Sequence, residues 1–201
     1  RRYPEDRIFA EEDGLRSPIS EGAVWVIDPI DGTNNFVTQK EDFAVMVAYF
    51  EDGIGQFGLI YDVMRDHLFY GGGEFPVYRN EVELTPFVDQ PLENFLIASN
   101  VGMLEKNDWG MADLGMDSLG IRVYGSAGIS FAKILSGGIL AYFSYIWPWD
   151  YAAAAIMGER LGYTVLNLNG DSPNYQTVEP IMMVPKAKLT EIQTYLKKGR
   201  S

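Results

Sequence analysis

The chain has 201 residues, 47% of them hydrophobic, and a formal net charge of −12. Its 16 Lys and Arg residues are outnumbered by 28 Asp and Glu, which argues against a nucleic-acid partner because phosphate-backbone binding needs clustered cations. The absence of cysteine and the single histidine, His67, exclude disulfides, thiolate metal sites and sites built from several imidazoles.

The first half of the chain reads as strands. Short apolar or alternating runs, punctuated by glycine and aspartate, predict strands over 23–28, 43–50, 54–61 and 67–70. None of the runs approaches the roughly 18 residues of a membrane span, and the first residues, RRYPEDRIF, are not typical of a signal or transit peptide. We therefore expect a cytoplasmic protein with no membrane partner.

In the second half, strands alternate with helices. The pattern predicts strands over 95–98, 121–124, 139–143, 163–166 and 181–184, and helices over 108–117, 126–136, 149–161 and 186–198. It indicates a sheet-rich α+β half over 1–93 and an α/β half over 94–201, packed as one catalytic unit.

Two carboxylates, Asp28 and Asp31, follow an apolar run in the stretch WVIDPIDGTNNF. The proline between them cannot donate to a central ladder, so we predict that the strand ends at Asp28 and that both acids lie in a turn. Gly32 allows a ligand to approach the backbone, and Thr33 can begin a short helical turn whose N–H groups suit phosphate. Alone, the pattern D-x-x-D-G favours an ordinary surface turn over a metal site.

Two further acidic sites flank this stretch. Glu11 and Glu12 follow an apolar approach in IFAEEDG, and Asp150 stands at the predicted start of a helix in WPWDYAAAA. Alone, the first pair is typical of solvated loop charges and Asp150 of an acid in a helical first turn. In this order and spacing, however, AEE, WVIDPIDGTNNF and PWDYAA resemble the three signatures of the inositol monophosphatase family, which comprises lithium-sensitive, magnesium-dependent phosphomonoesterases.

The resemblance implies a role for each of these residues. The implied ligands of two to three Mg²⁺ ions are Glu11, Asp28, the backbone carbonyl of Ile30, Asp31 and Asp150, with the third, weaker ion near Glu11 and Glu12. Thr33 and Glu12 would orient and deprotonate the attacking water, and Gly32 and Thr33 would offer backbone N–H groups to the phosphate. Gly125, Ser126 and Ala127 would face the substrate at a helix start.

The resemblance also implies an αβαβα sandwich of the inositol monophosphatase and fructose-1,6-bisphosphatase type, and a homodimer. The family's N-terminal helical pair and a mobile loop have no counterpart before Glu11, so we expect a more open site and weak or absent activity. Where animal relatives carry a glutamate that contacts inositol, seven residues before Asp150, this chain has Phe143.

The implied activity is hydrolysis of a small phosphorylated metabolite by metal-activated water, with inositol monophosphate as the default substrate. Phe143 leaves open fructose 1,6-bisphosphate, NADP and 3′-phosphoadenosine 5′-phosphate as substrates. A non-catalytic family member is the alternative of a different class, and the intact set of acids argues against it.

Two further features admit a plainer interpretation. The aromatic residues between 142 and 149 could form a stacking platform for nucleotides, but packing in the core and at a dimer interface is favoured. The cluster consists of Tyr142, Phe143, Tyr145, Trp147 and Trp149. His67, a lone histidine on a short strand, is interpreted as structural.

Overall fold

The computed structural model describes residues 3–12 and 16–198. The strands are β1 (Arg7–Ala10), β2 (Ala23–Asp31), β3 (Ala44–Glu51), β4 (Ile54–Asp62), β5 (His67–Gly72), β6 (Phe75–Arg79), β7 (Val82–Glu83), β8 (Leu96–Ser99), β9 (Gly120–Arg122), β10 (Ala141–Ile146), β11 (Tyr163–Asn167) and β12 (Glu179–Pro185). The helices are α1 (Thr33–Thr38), α2 (Val101–Glu105), α3 (Met111–Asp117), α4 (Ala127–Leu135), α5 (Pro148–Arg160) and α6 (Leu189–Lys198). Among these residues, no helix is long and apolar enough to cross a membrane.

The first seven strands form one sheet in chain order, with β1 parallel to β2 and each later pair antiparallel. Side chains alternate between the two faces, so Val24 and Val26 are buried whereas Trp25 points to the opposite face. On that opposite face, Leu59 and Tyr70 belong to a wide apolar depression that is open to solvent. The four strands predicted in this half are confirmed, and β1, β6 and β7 were not predicted.

Strand β2 differs from the prediction at the motif itself. It does not end at Asp28 but continues through Pro29 to Asp31, so the prediction of a turn there is wrong. Asp28 pairs with Met46 and Asp31 with Ala44, which leaves one extra residue in β2. A bulge tolerates a proline because the inserted residue does not donate to the ladder.

The second sheet has five strands in the order β11-β12-β10-β8-β9. Strands β8, β9 and β10 are parallel, and β12 runs antiparallel to both β10 and β11. The five strands predicted for this half are confirmed with small shifts of their ends, as are the four helices. Helix α2 was not predicted.

Helices α4 and α5 lie between the two sheets, and α2, α3 and α6 cover the far side of the second sheet. One hydrophobic core fills each space: Met46, Ile60 and Ile129 belong to the first, and Ile97 and Leu114 to the second. The resulting order sheet, helices, sheet, helices gives the last four of the five layers of the αβαβα sandwich, as predicted for a fold without the N-terminal helical pair, and confirms the fold class.

Candidate metal centre

Three carboxylates meet where β2 and α5 approach each other. One oxygen from each of Asp28, Asp31 and Asp150 lies within 4.8 Å of the others. Asp28 is 1% exposed and Asp31 6%, and Asp150 is half-buried. The structure thus brings Asp150 next to two acids that precede it by more than one hundred residues in the sequence.

Backbone N–H groups fix two of these carboxylates. The Ile30 N–H donates to Asp28 Oδ1 at 3.0 Å, which the bulge in β2 makes possible. The Trp147 N–H donates to Asp150 Oδ2 at 2.7 Å, in the manner of a capping box at the start of α5. Pro148 occupies the first helical position, where its missing donor costs nothing.

The third carboxylate, Asp31, is held by the N-terminus of α4. It accepts hydrogen bonds from the N–H groups of Ala127 at 3.1 Å and Gly128 at 2.8 Å, and from the Ser126 hydroxyl. The unpaired N–H groups and the positive end of the helix dipole favour a carboxylate at this place. Asp31 therefore joins the first sheet to the layer of central helices.

The cluster is electrostatically unfavourable on its own. Burial, followed by the charges of Asp31, Asp150 and Glu11, raises the pKa of Asp28 to about 9. Burial and then the charge of Asp31 raise the pKa of Asp150 to about 8. Burial also raises the pKa of Asp31, against the opposing effect of its hydrogen bonds from Ser126 and the α4 backbone.

These properties fit a hard divalent cation. The ion pairs found among residues 3–12 and 16–198 involve none of the three carboxylates, so their charges lack a partner there. Oxygen ligands alone, most of them carboxylate, are the donor set that Mg²⁺ prefers. A bound cation would remove the repulsion that raises the pKa values of Asp28 and Asp150.

The other residues predicted for the site differ in exposure and in their contacts. Glu11 and Glu12 follow β1 and are exposed, and Glu11 is near enough for its charge to raise the pKa of all three aspartates. The Ile30 carbonyl accepts a hydrogen bond from the Thr33 hydroxyl at 3.1 Å. Gly32 precedes α1 with φ of 84°, and a Cβ there would lie 2.9 Å from the Ser126 Cβ. Only glycine permits this contact.

Of the three residues predicted to face the substrate, two are buried. Ser126 is the N-cap of α4 and accepts the Ile129 N–H at 3.1 Å in addition to donating to Asp31. Ala127 is 4% exposed, and Gly125 packs against the side chain of Asn35. In this arrangement the Ser126 hydroxyl supports a carboxylate of the cluster.

Asn35 was not singled out in the sequence, yet it joins the two halves beside the cluster. Its Nδ2 donates to the carbonyl oxygens of Asp42 at 2.9 Å and Tyr124 at 2.7 Å. Tyr124 lies two residues before Ser126, so Asn35 ties α1 to the segment that leads into α4. An asparagine within the motif was the only available signal.

Residue 143, which counting from Asp150 matches to the inositol-contacting glutamate of animal relatives, does not face the carboxylate cluster. Phe143 is completely buried in the second core, on the face of β10 that is turned away from α4. Ser144 points the other way, with Tyr142, and accepts the Asn100 Nδ2 at 3.1 Å. Burial and then the charges of Asp31 and Asp150 raise the pKa of Tyr142, against the opposing effect of a hydrogen bond with Ser144. Counting seven residues back from Asp150 therefore identified the wrong face of the strand.

The other aromatic residues of this segment divide by burial. Tyr142 and Trp149 are 7% and 4% exposed and belong to the first core, which is the favoured interpretation. Tyr145 is 45% exposed and donates to Asp108 Oδ2 at 2.6 Å. Trp147 is half-buried and stacks on Trp149 with 4.9 Å between ring centroids. Of the five aromatic residues, therefore, only Tyr145 and Trp147 have surface that a nucleotide base could contact.

Comparison with known proteins gives a consistent picture. The sequence model of the inositol monophosphatase family matches residues 1–198. The inositol-1-monophosphatase of Bacillus subtilis is 38% identical over 175 residues, which is 84% of this chain and 66% of the relative. The chain thus spans slightly less than two thirds of the curated relatives that it matches, down to 62% for the human inositol monophosphatase 2.

Solved structures share the fold. The Staphylococcus aureus protein SaIMPase-II, crystallised with 2′-AMP, superposes with a TM-score of 0.91 at 32% identity, covering 98% of this chain and 78% of that one. The same protein bound to inositol monophosphate gives 0.90 at 31% identity over the same shares of the two chains. A protein described as an IMPase/NADP phosphatase with Mg²⁺ and phosphate gives 0.87 at 26%, covering 96% and 74%.

Proposed function

This chain belongs to the inositol monophosphatase family, and we propose that it is a Mg²⁺-dependent phosphomonoesterase that hydrolyses a small phosphorylated metabolite. The observation that carries this proposal is the convergence of Asp28, Asp31 and Asp150 within 4.8 Å, without a cationic partner among the described residues. A purely structural cluster of this kind would cost stability without return, because buried carboxylates repel one another.

The residues of the cluster would hold the cations. We propose Glu11, Asp28 and the Ile30 carbonyl as ligands of one Mg²⁺, and Asp28, Asp31 and Asp150 as ligands of a second, with a weaker third near Glu11 and Glu12. When bound, Mg²⁺ supplies positive charge to the phosphoryl oxygens and lowers the pKa of water. The hydrogen bonds from Ile30, Trp147 and the α4 backbone hold the carboxylates in place before any ion arrives.

Other groups of the chain would act on the substrate and water. We propose that the backbone N–H groups of Gly32 and Thr33 bind the phosphate, and that Thr33 and Glu12 orient the attacking water and take its proton. The φ of Gly32 and its contact with Ser126 support this, since they bring the backbone of residues 32 and 33 next to the α4 N-terminus. In-line attack by water requires no covalent intermediate.

The leaving group would lie toward β10. Asn100 donates a hydrogen bond to Ser144 of β10, and the proposed substrate-facing residues Gly125, Ser126 and Ala127 lie at the start of α4. Inositol monophosphate is the proposed default substrate, supported by the SaIMPase-II complex with that compound. Fructose 1,6-bisphosphate, NADP and 3′-phosphoadenosine 5′-phosphate are the alternatives, and a neighbour described as an IMPase/NADP phosphatase supports including NADP.

Three broader proposals accompany this function. We propose that residues 1–93 and 94–201 act as one catalytic unit, supported by the hydrogen bonds from the α4 backbone to Asp31 and from Asn35 to the Tyr124 carbonyl. The homodimer and the cytoplasmic location rest on the family resemblance and on the composition.

The test is Mg²⁺-dependent phosphate release from inositol 1-phosphate, fructose 1,6-bisphosphate, NADP, 3′-phosphoadenosine 5′-phosphate and 2′-AMP. We expect release from at least one ester, abolished by EDTA and by Asp150→Asn. The Asp171→Asn variant, purified in the same way, is the matched control because Asp171 is an exposed acid outside the cluster. Equal release by wild type and Asp150→Asn would indicate a contaminating phosphatase and overturn the proposal.

A further inference from the structure

Arg16 joins two parts of the site that lie far apart in the sequence. Its Nη1 donates to the carbonyl oxygen of Ala10 at 2.9 Å, and its guanidinium carbon lies 4.5 Å from the ring centroid of Trp149. Ala10 directly precedes Glu11, and Trp149 directly precedes Asp150. One guanidinium group therefore contacts the residue before each of two acids.

The aromatic side of this contact is rigid. Trp149 is 4% exposed, stacks on Trp147 with an interplanar angle of 7°, and meets the buried ring of Phe9 edge-on at 5.6 Å. The guanidinium carbon of Arg16 lies within 5.7 Å of all three ring centroids. A planar guanidinium can stack on indole and donate a hydrogen bond in its plane at the same time, whereas an ammonium group does this poorly.

Among the described residues, the hydrogen bond found for the backbone of Glu11, at the end of β1, is a weak one. The Glu11 N–H reaches the Ile27 carbonyl at 3.4 Å, a long hydrogen bond, and its side chain is exposed. Glu11 nevertheless lies near enough to Asp28 and Asp150 to raise the pKa of both. Its position relative to the cluster depends on the peptide group between Ala10 and Glu11, which is where Arg16 binds.

We propose that Arg16 is a positioning residue for metal binding: it holds the end of β1 against the start of α5, so that Glu11 and Asp150 each face one of the two neighbouring ions proposed above. The inference rests on the proposed function only in assuming that the cluster binds divalent cations. It assigns Arg16 no contact with substrate or with the reacting atoms.

The experiment measures binding of Mn²⁺ to the complete chain by the electron paramagnetic resonance signal of the free ion. We expect Arg16→Gln to weaken the binding about tenfold, at the lower end of the range for groups that orient a metal ligand from outside its coordination sphere. Arg16→Lys restores the positive charge but not the planar guanidinium with its several N–H donors, so we expect it to recover only part of the affinity for Mn²⁺. The Mg²⁺ concentration for half-maximal activity shifts in the same order, with the substrate KM unchanged at saturating Mg²⁺.

Arg7→Gln is the matched control. Arg7 also donates to a backbone carbonyl of this region, that of Pro18 at 3.3 Å, but it is not among the cations over the three rings. We expect it to bind Mn²⁺ as wild type does. If Arg16→Gln binds Mn²⁺ as tightly as wild type while only its Tm falls, Arg16 is merely structural and the inference is overturned, even if phosphate release is confirmed. Weaker Mn²⁺ binding supports the inference even if none of the esters is hydrolysed.

Discussion

The N–H group of Gly128, on the central helix α4, donates to Oδ2 of Asp31, at the end of strand β2, over 2.8 Å. This bond sets the distance between the helix and the carboxylate cluster. A Cβ at residue 128 would lie 2.8 Å from the Ala44 Cβ, 3.0 Å from the Met46 Sδ and 3.1 Å from Asp31 Oδ2 itself. The helix can therefore approach Asp31 this closely only with glycine at this position.

We expect Gly128→Ala to push the start of α4 away from Asp31 and to lower kcat/KM at least tenfold, because a shift of about 1 Å in a supporting element can cost about 100-fold in rate. Enzyme assays over a Mg²⁺ series and Mn²⁺ binding would measure this. Gly102→Ala, in α2, is the control, since its nearest neighbour would be Asn100 Oδ1 at 3.6 Å. Equal losses in both variants would contradict the explanation.

A second prediction concerns the pH dependence of the metal-free protein. The pKa of Asp28 is raised from 3.8 to about 9, chiefly by burial and then by the charge of Asp31. Between these two values the folded protein binds more protons than the unfolded chain, so stability falls as the pH rises through this window. In EDTA, we therefore expect the titration of Asp28 to lower the Tm of the wild type as the pH rises from about 5 to about 9.

Asp28→Asn removes that titration and the repulsion with it. In EDTA near pH 9, we expect the variant to melt several degrees above wild type, since about 1 kcal/mol corresponds to about 2–4 °C for a chain of this size. We also expect Mg²⁺ to raise the Tm of wild type but not of the variant, and the activity to fall at least 100-fold. A variant that is less stable than wild type in EDTA at this pH would refute the sign of the effect.

Much of this structure could be predicted from the sequence, and the failures have physical causes. The strands with strong alternation, such as β3 and β4, were found because each has one buried face. Strand β1 has only four residues and β7 two, too few to show a period. The end of β2 was misjudged because a proline suggests a strand end, whereas the bulge between Asp28 and Asp31 accommodates it.

At the candidate site, too, some residues could be predicted from the sequence and others could not. Asp28, Asp31 and Asp150 could be named in advance because three motifs resemble the signatures of the inositol monophosphatase family, and that resemblance implies these acids as metal ligands. The partners of these acids could not, since the bond from Gly128 to Asp31 and the contact of Arg16 with Trp149 join segments that only the tertiary fold brings together. Phe143 was placed in the site by counting residues, and counting alone does not determine which face of β10 a side chain occupies.

A third prediction compares neighbouring residues on opposite faces of β4. Ile60 is completely buried in the first core, whereas Leu59 is half-buried on the open face of the seven-stranded sheet. We expect Ile60→Ala to lower the free energy of unfolding by about 2–5 kcal/mol, as is usual for a filled core position. Leu59→Ala should cost about 1 kcal/mol or less, because the removed methyl groups are partly in water. Urea unfolding in EDTA measures both, and equal costs would show that the open face is covered in solution.

The last prediction separates Ser144 from Phe143. The Ser144 hydroxyl accepts a hydrogen bond from Asn100 at 3.1 Å on the side of β10 that faces α4, and Phe143 is enclosed in the second core. We expect Ser144→Ala to change the ratio of kcat/KM between inositol 1-phosphate and 2′-AMP by about 2- to 10-fold, because one neutral hydrogen bond contributes about 0.5–1.5 kcal/mol. The Tm should change little.

Phe143→Leu is the matched variant on the opposite face of the same strand. It keeps an apolar side chain in the core, so we expect a loss of about 1 kcal/mol in the free energy of unfolding and no change in the substrate ratio. The two variants thus have different effects: Ser144→Ala alters the substrate ratio, and Phe143→Leu alters the free energy of unfolding. If Phe143→Leu shifted the ratio while Ser144→Ala did not, the side chain at 143 would reach the substrate, and the orientation of β10 described above would be wrong for the protein in solution.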